Sequence, residues 1–282
     1  MNITIVGLGV IGGSIAKAIR ENIKTENLWA VDVDPGILKE AYDEGIIDDM
    51  TGDARIYLES SDMVILCTYP KAAVDFIVSN MDYFRKNAII TDTSGIKSKI
   101  VEEVRKVLRQ DLEFIGGHPM AGKESSGYKN SDGSIFRGAN YILTPDEYCS
   151  RENVLLLKNL LLKIGFSKVV ELTPISHDKI VAYTSQLPHV IACAVMNSSS
   201  FEEGKECIGG SFRDMTRVAD INCELWSELL IENKENILAE ISSLVDDLKN
   251  IYAIIENNHK DKLEELLKKS SSIRREMNYE GN

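Results

Sequence analysis

A histidine held between glycines and a proline is the part of this sequence best suited to chemistry. Segment 114–127 reads Phe-Ile-Gly-Gly-His-Pro-Met-Ala-Gly-Lys-Glu-Ser-Ser-Gly and contains His118, one of the four histidines in the chain. Glycines let the backbone adopt φ > 0 or approach a ligand closely, and Pro119 restricts the backbone after the histidine. An imidazole on a rigid, open turn is well placed for proton transfer near neutral pH. The alternative is a surface loop whose histidine has no function.

A glycine turn near the N-terminus is the second segment with chemical meaning. A β-branched run at residues 2–6 precedes a helical pattern that reaches Ile19, and between them stand Gly7, Leu8, Gly9, Val10, Ile11 and Gly12. In such a turn the first glycine allows the tight bend, the second lets the backbone approach a pyrophosphate, and the third lets the helix pack on the strand. The helix N-terminus then faces the phosphates. The pattern predicts a dinucleotide site, and the alternative is a structural glycine turn without a ligand.

The acidic residue after the next predicted strand indicates which dinucleotide binds. Asp32 lies 20 residues beyond Gly12, at the end of an apolar strand predicted at 28–32. Its carboxylate can accept hydrogen bonds from the adenosine ribose hydroxyls and would repel a 2′-phosphate. The residues that follow, Val33-Asp34-Pro35, provide no arginine for such a phosphate. The sequence therefore predicts NAD rather than NADP.

Alternating strands and helices predict an α/β fold of the Rossmann type over residues 1–172. Further strands are predicted at 62–67, 88–92, 113–116, 141–144 and 168–172, with helices between them at 74–81, 97–108 and 153–164. This alternation indicates a doubly wound, mainly parallel sheet. Ligands of such sheets lie beyond the carboxyl ends of the strands, where Thr68, Ser94 and His118 converge. We expect Thr68 to contact the cofactor.

The remaining residues, 173–282, predict an all-helical domain. A helix at 176–198 contains Pro188, which should kink it or break its hydrogen-bond ladder. A long helix then carries apolar residues at steps of mostly three and four from Trp226 to Ile255, and a charged helix closes the chain at 260–277. The long apolar stripe predicts a core combined with a subunit interface. A monomeric helical bundle is the alternative.

Composition excludes several classes of partner. The net charge of −12 leaves no basic excess for nucleic acid, while 44% apolar and 27% charged residues are typical of a soluble globular protein. Five cysteines without a Cys-x-x-Cys pair predict reduced thiols in the cytoplasm and no metal site. No apolar run is long enough to span a membrane.

Three residues of the helical half are candidates for chemistry. His177 and His189 are two of them, and a proline directly before His189 frees backbone groups and can turn the side chain into a cleft. The third, Arg217, ends the segment Gly-Gly-Ser-Phe-Arg-Asp-Met-Thr-Arg. Taken singly, each of these three residues could equally have only a structural role. His177 is assigned no function.

Taken together, the glycine turn at 7–14, the Gly-Gly-His-Pro-Met-Ala-Gly loop, Leu-Pro-His at 187–189 and the 209–217 segment resemble prephenate dehydrogenases. The glycine turn is shared by many families, whereas the combination of the other three segments is specific. The resemblance covers nearly the whole chain. It implies the NAD-dependent oxidative decarboxylation of prephenate to 4-hydroxyphenylpyruvate and CO2 in tyrosine biosynthesis, by a dimer held together through the helical domain.

The resemblance also implies roles for individual residues. His118 would hydrogen-bond the ring hydroxyl of prephenate and accept its proton. Arg217 would bind one substrate carboxylate in bidentate fashion and His189 would be a second substrate contact. Glu124 would position or gate the pocket.

Two positions depart from the family pattern. Relatives often read Gly-Ser where this chain has Ser94-Gly95, so the catalytic serine contact at Ser94 requires a shifted turn or is lost. Relatives also often carry histidine where Gln186 stands. An amide keeps a hydrogen bond to substrate but cannot titrate.

Three alternative functions remain open. Arogenate, or both substrates, could replace prephenate. A non-catalytic NAD-sensing protein would not require His118, His189 and Arg217 together. A β-hydroxyacid dehydrogenase also joins a nucleotide domain to helices, but that family relies on a catalytic lysine, and the Gly-Gly-His-Pro loop argues against it.

Overall fold

A seven-stranded sheet is the centre of the computed structural model, which describes residues 1–51, 53–122 and 125–279. The strands are β1 (Asn2–Val6), β2 (Asn27–Val31), β3 (Met63–Leu66), β4 (Ile89–Asp92), β5 (Glu113–Pro119), β6 (Asn140–Thr144) and β7 (Lys168–Glu171). Their order across the sheet is β2-β1-β3-β4-β5-β6-β7. Strands β1 to β5 are parallel, and β6 runs antiparallel to β5 and parallel to β7. The predicted doubly wound, mainly parallel sheet is confirmed.

Helices between the strands are α1 (Val10–Asn22), α2 (Pro35–Asp43), α3 (Ala54–Leu58), α4 (Pro70–Asn80), α5 (Ser98–Val107) and α6 (Arg151–Lys163). Local chemistry starts several of them: Pro35 and Pro70 stand at first helical positions, and the Asp34 carboxylate accepts the Gly36 N–H. Successive strand residues belong to opposite cores, with Met63 and Ile65 in one apolar cluster and Val64 and Leu66 in the other. Both faces of the sheet are therefore buried.

Strand β5 is longer than predicted and includes His118. Residues 116–119 pair antiparallel with β6, His118 opposite Ile142. The glycines before the histidine serve packing and not turning: a Cβ on Gly116 would lie 2.4 Å from Thr144 Oγ1, and one on Gly117 2.4 Å from Tyr141 Oη. The histidine is thus held by sheet hydrogen bonds, which makes its setting more rigid than a turn.

The helices after the sheet are α7 (Pro174–Val181), α8 (Leu187–Met196), α9 (Phe201–Gly204), α10 (Gly210–Thr216), α11 (Cys223–Glu232), α12 (Lys234–Glu256) and α13 (Lys260–Tyr279). The helix predicted at 176–198 is divided, because a π-helical turn, Ala182–Gln186, joins α7 to α8. Pro188 has no N–H for the ladder, and the wider turn lies directly before it.

The predicted single helix from Trp226 to Ile255 is wrong, because it is interrupted at Asn233 between α11 and α12. The buried Asn233 amide donates to the Asp178 carbonyl (2.9 Å) and to Gln186 Oε1 (2.8 Å). By compactness the chain forms two units, Met1–Asn233 and Lys234–Asn282. The domain boundary predicted between residues 172 and 173 stays a prediction.

The second unit contains α12 and α13, which contact each other. Helix α12 exposes Leu248 and Ile255 of the predicted apolar stripe, and it also exposes Leu238, Val245 and Tyr252 beside it. Within the described ranges, no helix is long and apolar enough to cross a membrane.

Candidate active site

His118 lies near the C-terminal edge of the sheet, with its two ring nitrogens in different surroundings. Nδ1 is 2.9 Å from Nε2 of His177, a buried residue of α7. Nε2 faces the turn after β4, where a Cβ placed on Gly95 would be 3.9 Å away. The Gly117 N–H, next to the histidine, donates to Asp92 Oδ1 (3.0 Å) and fixes the local backbone. One nitrogen is engaged by the protein, and the other faces the turn after β4.

A hydrogen-bonded chain continues from His118 into the interior. His177 Nδ1 is 2.8 Å from Asp178 Oδ1, and the His177 ring has no exposed surface. Asp178 Oδ1 also accepts the Lys97 N–H (2.7 Å), and Oδ2 accepts the Ser98 N–H (2.8 Å). The carboxylate therefore caps the start of α5 and at the same time holds His177.

Burial sets the protonation of these histidines. Desolvation, together with the neighbouring His177 and the Lys97 charge, lowers the pKa of His118 well below its ordinary value of 6.5. Burial likewise lowers the pKa of His177, although its hydrogen bond to Asp178 acts in the opposite direction. Both rings are neutral at neutral pH, so His118 is ready to accept a proton.

A buried ion pair lies at the end of β4, next to the backbone that carries His118. Lys97 Nζ pairs with Asp92 Oδ2, and both side chains are fully inaccessible to solvent. Burial lowers the pKa of Lys97 in spite of its partner. Asp92 also accepts the N–H groups of Ser94 (2.9 Å) and Gly117, so the ends of β4 and β5 are joined through one carboxylate.

The turn after β4 presents Gly95, and not Ser94, to the ring nitrogen of His118. Ser94 is buried, and its hydroxyl has no hydrogen-bond partner among the described residues. The Cβ direction of Gly95 points between Leu229 and His118 Nε2. The position beside His118 Nε2 is thus occupied by a glycine, and a catalytic role for Ser94 stays a prediction.

His189 lies in α8, and Arg217 lies in a turn that packs against α8. Ser185 lies in the π-helical turn, and its carbonyl accepts a hydrogen bond from the Nδ1–H of His189 (2.8 Å). The ring stacks on Trp226 of α11 at a centroid distance of 3.8 Å, and burial lowers its pKa. Arg217 is exposed in the 3₁₀ turn Arg217–Ala219, which packs against α8.

Gln186 makes hydrogen bonds inside the protein, and its predicted contact with the substrate stays a prediction. Its side chain is buried, its Nε2 donates to the Leu229 carbonyl (3.2 Å) and its Oε1 accepts from Asn233. The amide therefore joins the π-helical turn to the end of α11, and both of its polar atoms are engaged. The predicted gating residue Glu124 lies outside the described residues.

The glycine turn has the geometry that a dinucleotide requires. Gly7 has φ +88°, and a Cβ on Gly12 would lie 1.9 Å from the Gly7 carbonyl oxygen, so both positions need glycine. A Cβ on Gly9 would meet no atom within 4 Å, which leaves open space at the N-terminus of α1. Asp32 Oδ2 accepts the Leu8 N–H (2.7 Å) and Oδ1 accepts the Asp34 N–H (2.9 Å), which fixes the orientation of the carboxylate. Its contact with a ribose stays a prediction.

The other predicted cofactor residues contribute in two ways. Leu8 is buried in the core and its N–H is bonded to Asp32, while Val10 and Ile11 begin helix α1 and carry its first N–H groups. Thr68 follows β3, and its hydroxyl is buried without a hydrogen-bond partner within the described chain. Such a hydroxyl beside the glycine turn fits a bound ligand. In the described ranges no group of three or more His, Cys, Asp or Glu side chains is placed to hold a metal ion.

Sequence reasoning left His177 unassigned and missed Asp178, Lys97 and Asp92. The contact between His118 and His177 joins residues 59 positions apart, which no local pattern shows. Two signals in the sequence could have indicated them. One is the adjacent pair His177-Asp178, and the other is Asp92 at the end of a predicted strand with Lys97 five residues later.

Comparisons with known proteins agree with this arrangement. Residues 15–170 match the family model described as prephenate dehydrogenase, nucleotide-binding domain, and residues 173–269 match prephenate dehydrogenase, dimerization domain. Prephenate dehydrogenase of Bacillus subtilis (strain 168) is 30% identical over 279 residues, which cover 96% of this chain and 75% of that protein.

Two solved structures are similar over almost the full length. The prephenate dehydrogenase of A. aeolicus in complex with hydroxyphenyl propionate and NAD+ has a TM-score of 0.88 and 30% identity, covering 98% of each chain. Synechocystis arogenate dehydrogenase has a TM-score of 0.85 and 27% identity, covering 98% of this chain and 100% of that one. The chain is a dehydrogenase that belongs to the prephenate dehydrogenase family.

Proposed function

We propose that this chain catalyses the NAD-dependent oxidative decarboxylation of prephenate to 4-hydroxyphenylpyruvate and CO2, a step of tyrosine biosynthesis. The observation that supports it most is the setting of His118. Burial lowers the pKa of its ring well below 6.5, its Nδ1 is engaged by His177, and its Nε2 faces the turn after β4. That is the arrangement of a general base.

The residues of the glycine turn hold NAD. Gly9 and the first N–H groups of α1 receive the pyrophosphate, and Asp32 receives the adenosine ribose. When bound, the nicotinamide supplies the acceptor for the hydride that leaves the carbinol carbon of the substrate. Asp32 also disfavours a 2′-phosphate, which is why we propose NAD over NADP.

His118 accepts the hydroxyl proton of the substrate and later returns it. Its Nε2 accepts the proton of the ring hydroxyl as the carbinol carbon is oxidised to a carbonyl. Loss of CO2 then places the electron pair of the broken C–C bond in the ring, which becomes aromatic. The former carbonyl oxygen takes the proton back from Nε2 and is released as the phenol. The histidine ends the cycle neutral.

Arg217 and His189 complete the substrate site in this proposal. Prephenate carries two carboxylates, and Arg217 can bind one of them through two parallel N–H···O bonds. Charge-assisted hydrogen bonds of this kind contribute roughly 1.5–3 kcal/mol. His189 is held by Ser185 and Trp226 with its Nδ1 engaged, so its Nε2 is the atom available to the substrate. We expect Arg217→Ala chiefly to raise the KM for prephenate.

Arogenate is the alternative substrate, supported by the similarity to the Synechocystis arogenate dehydrogenase. It differs from prephenate in an amino group that replaces the side-chain keto group. The test follows NADH formation by absorbance with purified protein, NAD, and either prephenate or arogenate. Turnover with prephenate supports the proposal, and turnover with both defines a broader cyclohexadienyl dehydrogenase. Turnover with arogenate alone overturns the choice of substrate and keeps the mechanism.

We also propose a homodimer formed through the helical half of the chain. The match to a domain described as a dimerization domain and the exposed apolar side chains of α12 support it. Sedimentation equilibrium tests this directly: a mass of twice 31.4 kDa is expected, and a monomer at all concentrations would contradict it.

A further inference from the structure

The chain of hydrogen bonds behind His118 ends on a group that cannot act as a donor. Asp178 accepts two backbone N–H groups, one on each carboxylate oxygen, from Lys97 and Ser98. These backbone donors cannot reverse their direction. Burial acts against ionisation, yet the hydrogen bonds from His177 and the backbone together keep the pKa of Asp178 below its ordinary value. The carboxylate is therefore an acceptor for all of its partners.

We propose that Asp178, acting through His177, determines which ring nitrogen of His118 carries the proton, and so keeps Nε2 free to act as the base. This assignment rests on the proposed function, in which His118 Nε2 accepts the hydroxyl proton. Asp178 and His177 are positioning residues in this scheme, since neither touches the substrate.

The acceptor role of Asp178 determines the tautomer of His177, and His177 in turn determines the tautomer of His118. Because Asp178 only accepts, His177 must donate from Nδ1, 2.8 Å away. A neutral imidazole has one donor and one acceptor, so His177 Nε2 is an acceptor. His118 Nδ1, 2.9 Å from it, must then donate. A neutral His118 with its proton on Nδ1 has a lone pair on Nε2, the nitrogen that faces the turn at Gly95.

The opposite state would disable the base. If His177 carried two protons it would donate from Nε2, and His118 would have to accept at Nδ1 and keep its proton on Nε2. The groups around His177 disfavour that state. The ring is fully buried, and the Lys97 ammonium nearby repels a second positive charge, against the attraction of Asp178 and Asp92. The neutral form, and with it the order of donors, is the stable one.

The same chain stabilises the protonated base. When His118 Nε2 takes a proton, the ring becomes a cation whose Nδ1–H still points at His177. The Asp178 carboxylate, one ring further, lowers the energy of that cation without receiving a proton itself. The two histidine rings thus transmit orientation and charge stabilisation while the transferred proton stays on His118.

The first test measures the tautomers directly by 15N NMR on protein labelled in its histidine rings. The chain has four histidines, and exposed His259 gives a reference signal. Replacement of each histidine in turn assigns the spectrum. We expect His118 and His177 both to carry the proton on Nδ1 in the full-length protein without substrate. A proton on His118 Nε2 would overturn the proposal. This measurement needs no turnover, so its outcome is independent of whether prephenate is the substrate.

The second test reverses the end of the chain with Asp178→Asn. The NH2 group of the asparagine amide must lie opposite the N–H of either Lys97 or Ser98. On the Lys97 side it also faces His177 and donates to His177 Nδ1. His177 then donates from Nε2 to His118, which is the reverse of the native direction. We expect the Nε2–H form of His118 to become populated and kcat to fall on the order of 10- to 100-fold, as for other outer-shell partners of functional histidines. The KM should change little.

Two controls separate this role from simple stabilisation. Asp246→Asn makes the same change at an exposed carboxylate of α12 and should leave kcat and the tautomers unchanged. His177→Gln tests the chain if the first variant does not fold, because a glutamine amide can offer either its oxygen or its nitrogen to His118. Mixed tautomers at His118 in that variant support the proposal. A single Nδ1–H form with undiminished kcat in both variants would overturn it.

Discussion

Replacing His118 by asparagine separates the two functions of its ring. The asparagine amide nitrogen takes nearly the place of Nδ1, so the bond to His177, 2.9 Å in the native chain, can persist. No atom of asparagine reaches the place of Nε2 opposite Gly95, so the base is removed while its support remains. A positioned general base contributes typically 10²–10⁴-fold, or about 2.7–5.4 kcal/mol of transition-state stabilisation. We expect kcat to fall by about that factor, with KM for prephenate and the affinity for NAD nearly unchanged.

The assay is steady-state NADH formation with both substrates varied, combined with thermal unfolding to confirm that the variant is folded. His259→Asn is the matched control, because the same substitution is made at an exposed histidine between α12 and α13. If His118→Asn kept near-normal turnover, the assignment of the base would be wrong. A loss seen only as a higher KM would also refute the reasoning, since it would make His118 a binding residue.

Three further predictions concern pH, cofactor choice and stability. Folding lowers the pKa of His118 below 6.5, so the unfolded chain binds its proton more readily. The acid limb of kcat/KM should therefore lie below pH 6.5, and this histidine's contribution to the free energy of unfolding should decrease as pH falls through that value; an acid limb above 6.5 would contradict this. Asp32→Ala should raise the Kd for NAD about 10- to 150-fold and reduce the preference over NADP, as measured by calorimetry, and an unchanged preference would refute the ribose contact. Lys97→Met leaves Asp92 buried without its cation and should lower the free energy of unfolding by about 3–5 kcal/mol in urea denaturation, where an undestabilised variant would argue against the ion pair.

Local patterns were sufficient for the sheet and the glycine turn. The strand starts, the helix after Gly7 and the acidic residue Asp32 each depend on a few neighbouring residues, and in the structure the strands start within one residue of the predicted positions. His118 was recognisable because glycines and a proline surround it. These features are encoded within short windows of the chain, which is what sequence reasoning reads well.

Features that depend on distant contacts were not predictable. The antiparallel pairing that extends β5 through His118 requires β6, which no residue of the histidine segment specifies. The break at Asn233 lies inside an uninterrupted apolar period, and it becomes understandable only through the buried bonds of that side chain to Asp178 and Gln186. The hydrogen bonds of Gln186 were not predictable for the same reason, because its partners Leu229 and Asn233 are 43 and 47 positions away.

The most direct test of the central claim is the stoichiometry of a complete reaction with limiting prephenate and excess NAD. NADH is followed by absorbance. CO2 is trapped from prephenate labelled in its ring carboxylate, and the aromatic product is identified by mass spectrometry. Oxidative decarboxylation predicts one NADH, one CO2 and one 4-hydroxyphenylpyruvate for each prephenate consumed. NADH without CO2, or no NADH at all, would contradict it.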